Sequence, residues 1–217
     1  MGRPPGDRCP CGWGPTCRPP AFTQAGGRGT LTPEDVLSLE GPTDGFLCPL
    51  SANKYGIEFL EFRIQEQESK RVVFELRNPP SPSPYVPPVL PPEVEARART
   101  VRYEFPASFL RSRNVRTMLS FKVGDLPVSG FRMIERHYFK GRLIRSYDFP
   151  FGFCIPGSTN SWEALYETPE MADSEVAEFV ASPGEHHADT FYFVGGELVM
   201  QHKAIFSYIN DNPDVSS

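Results

Sequence analysis

The chain of 217 residues has room for one domain of moderate size with short extensions. Its net charge is -5 and no block of Lys or Arg stands out, which argues against a nucleic-acid surface. With 24 prolines, 17 phenylalanines and few long Leu/Ala/Glu runs, the composition favours strands joined by stiff loops over a helical fold.

Residues 1–30 are rich in Gly, Pro and Arg and too poor in apolar mass to fold alone, so they read as a disordered leader. Cys9, Cys11 and Cys17 in this leader are expected to be free thiols, because a zinc site would need a fourth ligand and no His lies nearby. Met1-Gly2 opens like an acylation signal, but the Ser or Thr of that motif is missing and Pro4-Pro5 follow. The chain is therefore expected not to be acylated itself. No signal peptide is read at its start, and no segment is long and apolar enough to span a bilayer, so the expected setting is cytoplasmic and reducing.

A domain is predicted over 31–211, followed by a flexible tail at 212–217. It begins with a short helix: Thr32 caps, Pro33 occupies the first turn, and Glu34 and Asp35 suit the positive end of the dipole. The apolar positions then run Tyr55, Ile57, Phe59 and shift by one to Leu60, Phe62, Ile64, which predicts a β-bulge or a strand buried on both faces. A second strand is read from Val72 to Leu76. The stretch 79–92 holds eight prolines and reads as a polyproline-like edge loop, either a spacer or a ligand for a proline-binding domain.

Alternation at Val101, Tyr103 and Phe105, and again at Val115, Thr117, Leu119, Phe121 and Val123, predicts two further strands. Lys140-Gly141 separates strands at 131–139 and 143–149 as a two-residue hairpin turn, and Gly195-Gly196 does the same for 190–194 and 197–208. Between them, Val176, Phe179 and Val180 mark a helix over 173–181 that Pro183-Gly184 would stop. About eight strands with two minor helices predict an all-β sandwich.

The strand at 131–139 carries the functional signal. One face presents Phe131, Met133, Glu135, His137 and Phe139, and the other Arg132, Ile134, Arg136, Tyr138 and Lys140. The three charges mark the second face as the solvent side, which turns Glu135 and His137 inward. An unpaired carboxylate inside a core costs several kcal/mol, so this interior must offer it a partner, water or a ligand. A hydrogen-bonded couple closing one end of a core would satisfy that demand. So would a polar collar on an apolar cavity that holds an amphipathic ligand.

Glu135 and His137 could also act as general acid and base or as metal ligands, but His186, His187 and His202 lie in separate later segments. No phosphate loop, nucleophile elbow or paired-cysteine motif is present. The expectation is a protein that is not an enzyme and needs no metal or cofactor.

Residues 131–139, followed by Tyr147-Asp148-Phe149-Pro150-Phe151-Gly152-Phe153-Cys154-Ile155-Pro156, closely resemble the lipid-binding chaperones first named for an uncoordinated worm phenotype. These share a family with the delta subunit of the rod phosphodiesterase. Further matches are Thr32-Pro33-Glu34-Asp35-Val36-Leu37, Val101-Arg102-Tyr103-Glu104-Phe105, Phe109-Leu110-Arg111, Phe191-Tyr192-Phe193-Val194 and Leu198-Val199-Met200, so the likeness runs from about Leu31 to Tyr208. Thr168 and Phe206 depart from the pattern, which leads one to expect an aromatic and a tyrosine there, and the loop 79–92 lacks the usual basic character.

The resemblance implies an immunoglobulin-like β-sandwich with a hydrophobic lipid-binding pocket between its sheets. It implies binding of N-myristoylated cargo proteins, and release by an Arf-like small GTPase in its GTP form. The setting implied is the cytoplasm, with traffic to cilia, flagella or other membranes and only transient membrane proximity. Carried over by position, the lipid and cargo site would comprise Phe62, Tyr103, Phe109, Glu135, His137, Tyr147, Tyr166 and Tyr192. The alternatives are a prenyl-binding factor of the delta-subunit type and a non-lipid interaction module with a filled core.

Overall fold

The computed structural model describes residues 31–81 and 85–211. The leader with its three cysteines, the tail at 212–217 and residues 82–84 of the proline-rich stretch lie outside the described residues.

Helix α1 (Pro33–Leu37) starts as its sequence dictates. The Thr32 hydroxyl accepts from the Asp35 backbone N–H, and the Asp35 carboxylate accepts from the Thr32 N–H, a reciprocal cap. Nine strands follow among the described residues: β1 (Glu58–Glu66), β2 (Val72–Arg77), β3 (Thr100–Pro106), β4 (Asn114–Lys122), β5 (Val128–Phe139), β6 (Arg142–Cys154), β7 (Thr159–Glu167), β8 (His186–Val194) and β9 (Glu197–Ile209). They form a four-stranded sheet in the order β2-β1-β4-β7 and a five-stranded sheet in the order β3-β9-β8-β5-β6. The β3–β9 pair is parallel and every other pair is antiparallel.

Both expected hairpins are present. Lys140 and Gly141 have φ of +50° and +76°, and Gly195 and Gly196 have +59° and +85°, the backbone that two-residue turns between twisted strands require. The slip in β1 is a real irregularity: Phe59 pairs with Phe121 and Glu61 with Ser120, which skips Leu60. Helix α3 (Asp173–Val180) packs its Phe179 ring face to face on Phe139 at 3.8 Å between centroids. A further helix, α2 (Pro92–Ala98), was masked in the sequence by the prolines before it; proline at a first helical turn loses no hydrogen bond. No helix among the described residues is long and apolar enough to cross a membrane.

The interior divides in two along the strands. At one end Phe121, Val123, Val128, Phe131, Cys154, Val194 and Val199 form a dry, filled core. The other half holds a larger cluster around Tyr103, Phe105, Tyr166, Phe206 and Tyr208, and packing there is incomplete.

One expectation needs correction. The outer face of β5 is not a solvent side: Ile134 and Tyr138 are fully buried and Arg136 nearly so. Residues 31–53 lie across it as a strap, and Val36 and Cys48 pack with Ile134, Phe191, Phe193 and Leu198. The polar residues of this face hold the strap by its backbone. Arg136 donates to the Leu39 carbonyl, Asp189 accepts from the Thr43 N–H, Gln201 accepts from the Leu47 N–H, and Lys203 donates to the Thr43 carbonyl and to Asp189. Charge on a strand marks solvent only where nothing covers the sheet. Here it satisfies a covering segment that has no sheet of its own.

Candidate functional site

Between the sheets lies a cavity of about 450 Å³, within the range of sites that enclose small ligands. Strand register explains why space remains. At the level of His137 the next strands of the five-stranded sheet bring only Ala188 and Ala204, and the four-stranded sheet adds the small pair Thr117 and Ala164 to the lining. Small side chains such as these cannot close a gap of about 10 Å between sheets.

Phe62, Tyr103, Phe109, Glu135, His137, Tyr147, Tyr166 and Tyr192 all line this single cavity. Five strands and a short 3₁₀ turn at Ala107–Arg111 carry the aromatic members, so residues spread over 130 positions in sequence reach one space. The rings brace one another: Tyr147 meets Tyr166 edge-on at 4.6 Å, and Tyr103 stacks on Phe206 at 5.1 Å. Aromatic pairs of this geometry add to simple area burial and keep the wall in place without filling the space.

Glu135 has both partners that a buried carboxylate demands. Its Oε1 lies 2.8 Å from His137 Nε2, and its Oε2 accepts from the Tyr166 hydroxyl at 2.8 Å. Burial opposes the charge, but the His137 hydrogen bond and charge and the Tyr166 hydrogen bond outweigh it, so its pKa lies below the ordinary carboxylate value. Tyr166 moves the other way: burial and the Glu135 charge hold its pKa well above the ordinary phenol value, and it stays a donor. An ionised carboxylate accepts in about four directions, and two remain open.

The line of hydrogen bonds continues past His137. Its Nδ1 lies 3.0 Å from Nε2 of His186, whose Nδ1 lies 2.7 Å from the Tyr208 hydroxyl. Burial, then the charges of His137, Arg145 and His187, depress the His186 pKa well below its ordinary value. One donor order satisfies every member: Tyr208 donates to His186, His186 to His137, and His137 to Glu135.

The sequence placed His186 apart from His137 because of their separation in the chain. The pairing of β5 with β8 overturns that separation. Its signal was available, since a period-two reading of β8 from Tyr192 puts Thr190, Ala188 and His186 on the inward face. No group of three or more His, Cys, Asp or Glu suited to a metal occurs among the described residues. The site is an apolar slot with an anionic, hydrogen-bonded patch in its wall.

The sequence profile of the family described as GMP-PDE, delta subunit, matches residues 51–208. Among similar proteins, the protein unc-119 of Caenorhabditis elegans is 42% identical over 199 residues, covering 88% of this chain and 89% of its own. The unc-119 homolog of Drosophila melanogaster is 40% identical over 198 residues, covering 84% and 74%. The unc-119 homolog B of Homo sapiens is 42% identical over 186 residues, covering 82% and 72%.

Proposed function

Because the chain belongs to the GMP phosphodiesterase delta-subunit family, we propose that it is a lipid-binding chaperone, not an enzyme, that keeps N-myristoylated proteins soluble and moves them between membranes. The observation that carries this reading is the cavity of about 450 Å³, with aromatic walls around the Glu135–His137 patch. The walls suit a hydrocarbon chain and the patch suits the polar group at the head of that chain. Burial of a myristoyl chain contributes roughly 10 kcal/mol gross at about 0.8 kcal/mol per CH₂. The same chain alone holds a protein on a bilayer with a constant of only about 10⁴ M⁻¹, so a pocket of micromolar affinity or better competes with the membrane.

Phe62, Tyr103, Phe109, Tyr147, Tyr166 and Tyr192 are the proposed acyl contacts, and Glu135 and His137 face the peptide end of the cargo. A chain held in a dry slot leaves slowly, so useful delivery needs a second partner that favours a narrower cavity. That partner is an Arf-like small GTPase in its GTP form, for which β2 and β7 offer sheet edges open to strand addition. The compartments served are the cytoplasm and the cilium or flagellum.

Fluorescence polarisation with matched myristoylated, farnesylated and bare glycine-led peptides tests the cargo. The myristoylated peptide should bind at least a hundredfold more tightly than the bare one, since most of the apolar contact is removed with the chain. Equal binding of all three would refute the lipid reading, and tighter binding of the farnesylated peptide would move the protein to prenyl cargo.

A further inference from the structure

Across the strands of the five-stranded sheet, the inward face carries a line of hydrogen-bonding groups. Glu135 on β5 pairs with Thr190 on β8, and Thr190 pairs with His202 on β9. All three side chains line the cavity. Adjacent strands are about 4.8 Å apart, so the line extends about 10 Å over the cavity floor. It ends at the flank where β3, which meets β9 only from Lys203 onward, gives way to Leu50, Asn53, Tyr85 and Arg99. On one side of the line the same strands present Met133, Tyr192 and Met200; on the other they present Ala188 and Ala204 beside His137. The result is a polar band on an apolar floor.

Only one end of this band is satisfied within the protein. Glu135 already accepts from two donors. Neither the Thr190 hydroxyl nor the His202 ring forms a side-chain hydrogen bond with any described residue. Phe59 and Tyr192 pack edge-on around the His202 ring at 5.5 and 5.6 Å. Burial, helped by the Arg99 charge, pushes the His202 pKa down to about 4, so it meets the cavity as a neutral imidazole with one donor and one acceptor. A bare hydrocarbon laid over these groups would leave a hydroxyl and an imidazole unpaired in a dry site, which disfavours it.

We propose that Thr190 and His202, together with Glu135, form a band that hydrogen-bonds the first peptide groups of an N-acylated cargo, and that this band sets the choice of amide-linked acyl chains over thioether-linked prenyl chains. The inference rests on the lipid-binding reading above and assigns its specificity to residues outside the apolar wall. A peptide group carries a donor and an acceptor. The N–H suits the carboxylate, which when ionised only accepts, and the carbonyl suits the Thr190 hydroxyl or the imidazole N–H. An N-acyl chain has its peptide group directly at the end of the hydrocarbon. An S-prenyl chain reaches its first peptide group only beyond a sulfur and two carbons, and a thioether sulfur is a weak acceptor. Apolar walls discriminate poorly between two hydrocarbons, whereas a site left with unpaired polar groups discriminates strongly.

The test uses the full chain with Thr190→Val, His202→Leu and the double substitution, against a fluorescent N-myristoylated glycine-led peptide and a matched S-farnesylated cysteine peptide. Melting temperatures are recorded alongside. The double variant should bind the myristoylated peptide about tenfold more weakly and the farnesylated one as well as before or better, so that the ratio of affinities falls by about tenfold or more. His202→Asn, which keeps a donor and an acceptor, should retain most of the preference. If the double variant does not fold, Thr190→Val, which changes a hydroxyl for a methyl, decides by the same ratio. An unchanged ratio in folded protein overturns the band. If the unsubstituted protein binds neither peptide, it is the lipid-binding reading that fails.

Discussion

Glu135 keeps its charge inside the sandwich because two donors reach it from different strands, His137 from its own and Tyr166 from the facing sheet. The histidines behind it behave in the opposite sense. Burial lowers the pKa of His186 well below the ordinary 6.5 and that of His202 to about 4. In the unfolded chain both would titrate near 6.5, so as pH falls through that value the unfolded state takes up protons that the folded state refuses. Their contribution is therefore fully present above about pH 6.5 and is lost as pH falls toward 4, by up to about 3 kcal/mol for His202 alone. Carboxylates whose pKa is lowered in the fold, such as Glu66 and Glu135, act only further down, below their ordinary 4.5. Urea midpoints measured between pH 7.5 and 4.5 should fall steadily, and His202→Asn should flatten part of that decline. Identical slopes in the two proteins would mean that His202 is solvated and free to charge.

At the scale of elements, the strap over the outer face is the part that the sequence concealed. Asp189 is 2% exposed and pairs with Lys203 at 2.7 Å while it also accepts from the Thr43 backbone. Asp189→Ala should cost about 3 kcal/mol, because it leaves the Lys203 ammonium buried without its counter-charge and the Thr43 N–H without an acceptor. The urea midpoint should drop, while affinity for the acylated peptide in the folded protein stays the same, since Asp189 and Thr43 meet on the outer face of the sheet and neither lines the cavity. A matched loss of affinity would show that the strap shapes the cavity. The hairpins at Lys140-Gly141 and Gly195-Gly196, the capped helix α1, helix α3 and the inward set of β5 were legible because local backbone chemistry and side-chain period decide them. Arg136 and Lys203 were not, since a guanidinium that grips a carbonyl and one that faces water look the same in a one-dimensional pattern. His186 and His202 escaped for a related reason: which strands become neighbours is a property of the whole sheet, and period-two alternation sets only the face.

For the whole molecule, a filled core at one end of the sandwich supports an unfilled cavity at the other. Phe121, Phe131 and their neighbours are packed tight at the end that the Gly195-Gly196 turn closes, so the strands stay parted at the far end without losing the fold. The parallel pairing of β3 with β9 then bears on time and not only on shape. Thr100 meets Lys203 and Pro106 meets Ile209, partners roughly a hundred residues apart, whereas β8–β9 and β5–β6 are joined by two-residue turns. Contacts between partners so distant in the chain carry the largest loop-closure cost, so β3 should dock late in folding and part early in native-state fluctuations. Because β3 carries Tyr103 and Phe105, each such parting would unseal one side of the cavity while the hairpin strands stay paired. Hydrogen exchange should find the β3 amides less protected than those of β8, with bound acyl peptide slowing β3 most; uniform protection across both strands would contradict this. The last strand to join the sheet would then set how quickly a greasy chain can enter or leave, making the order in which the protein assembles a clock for its traffic.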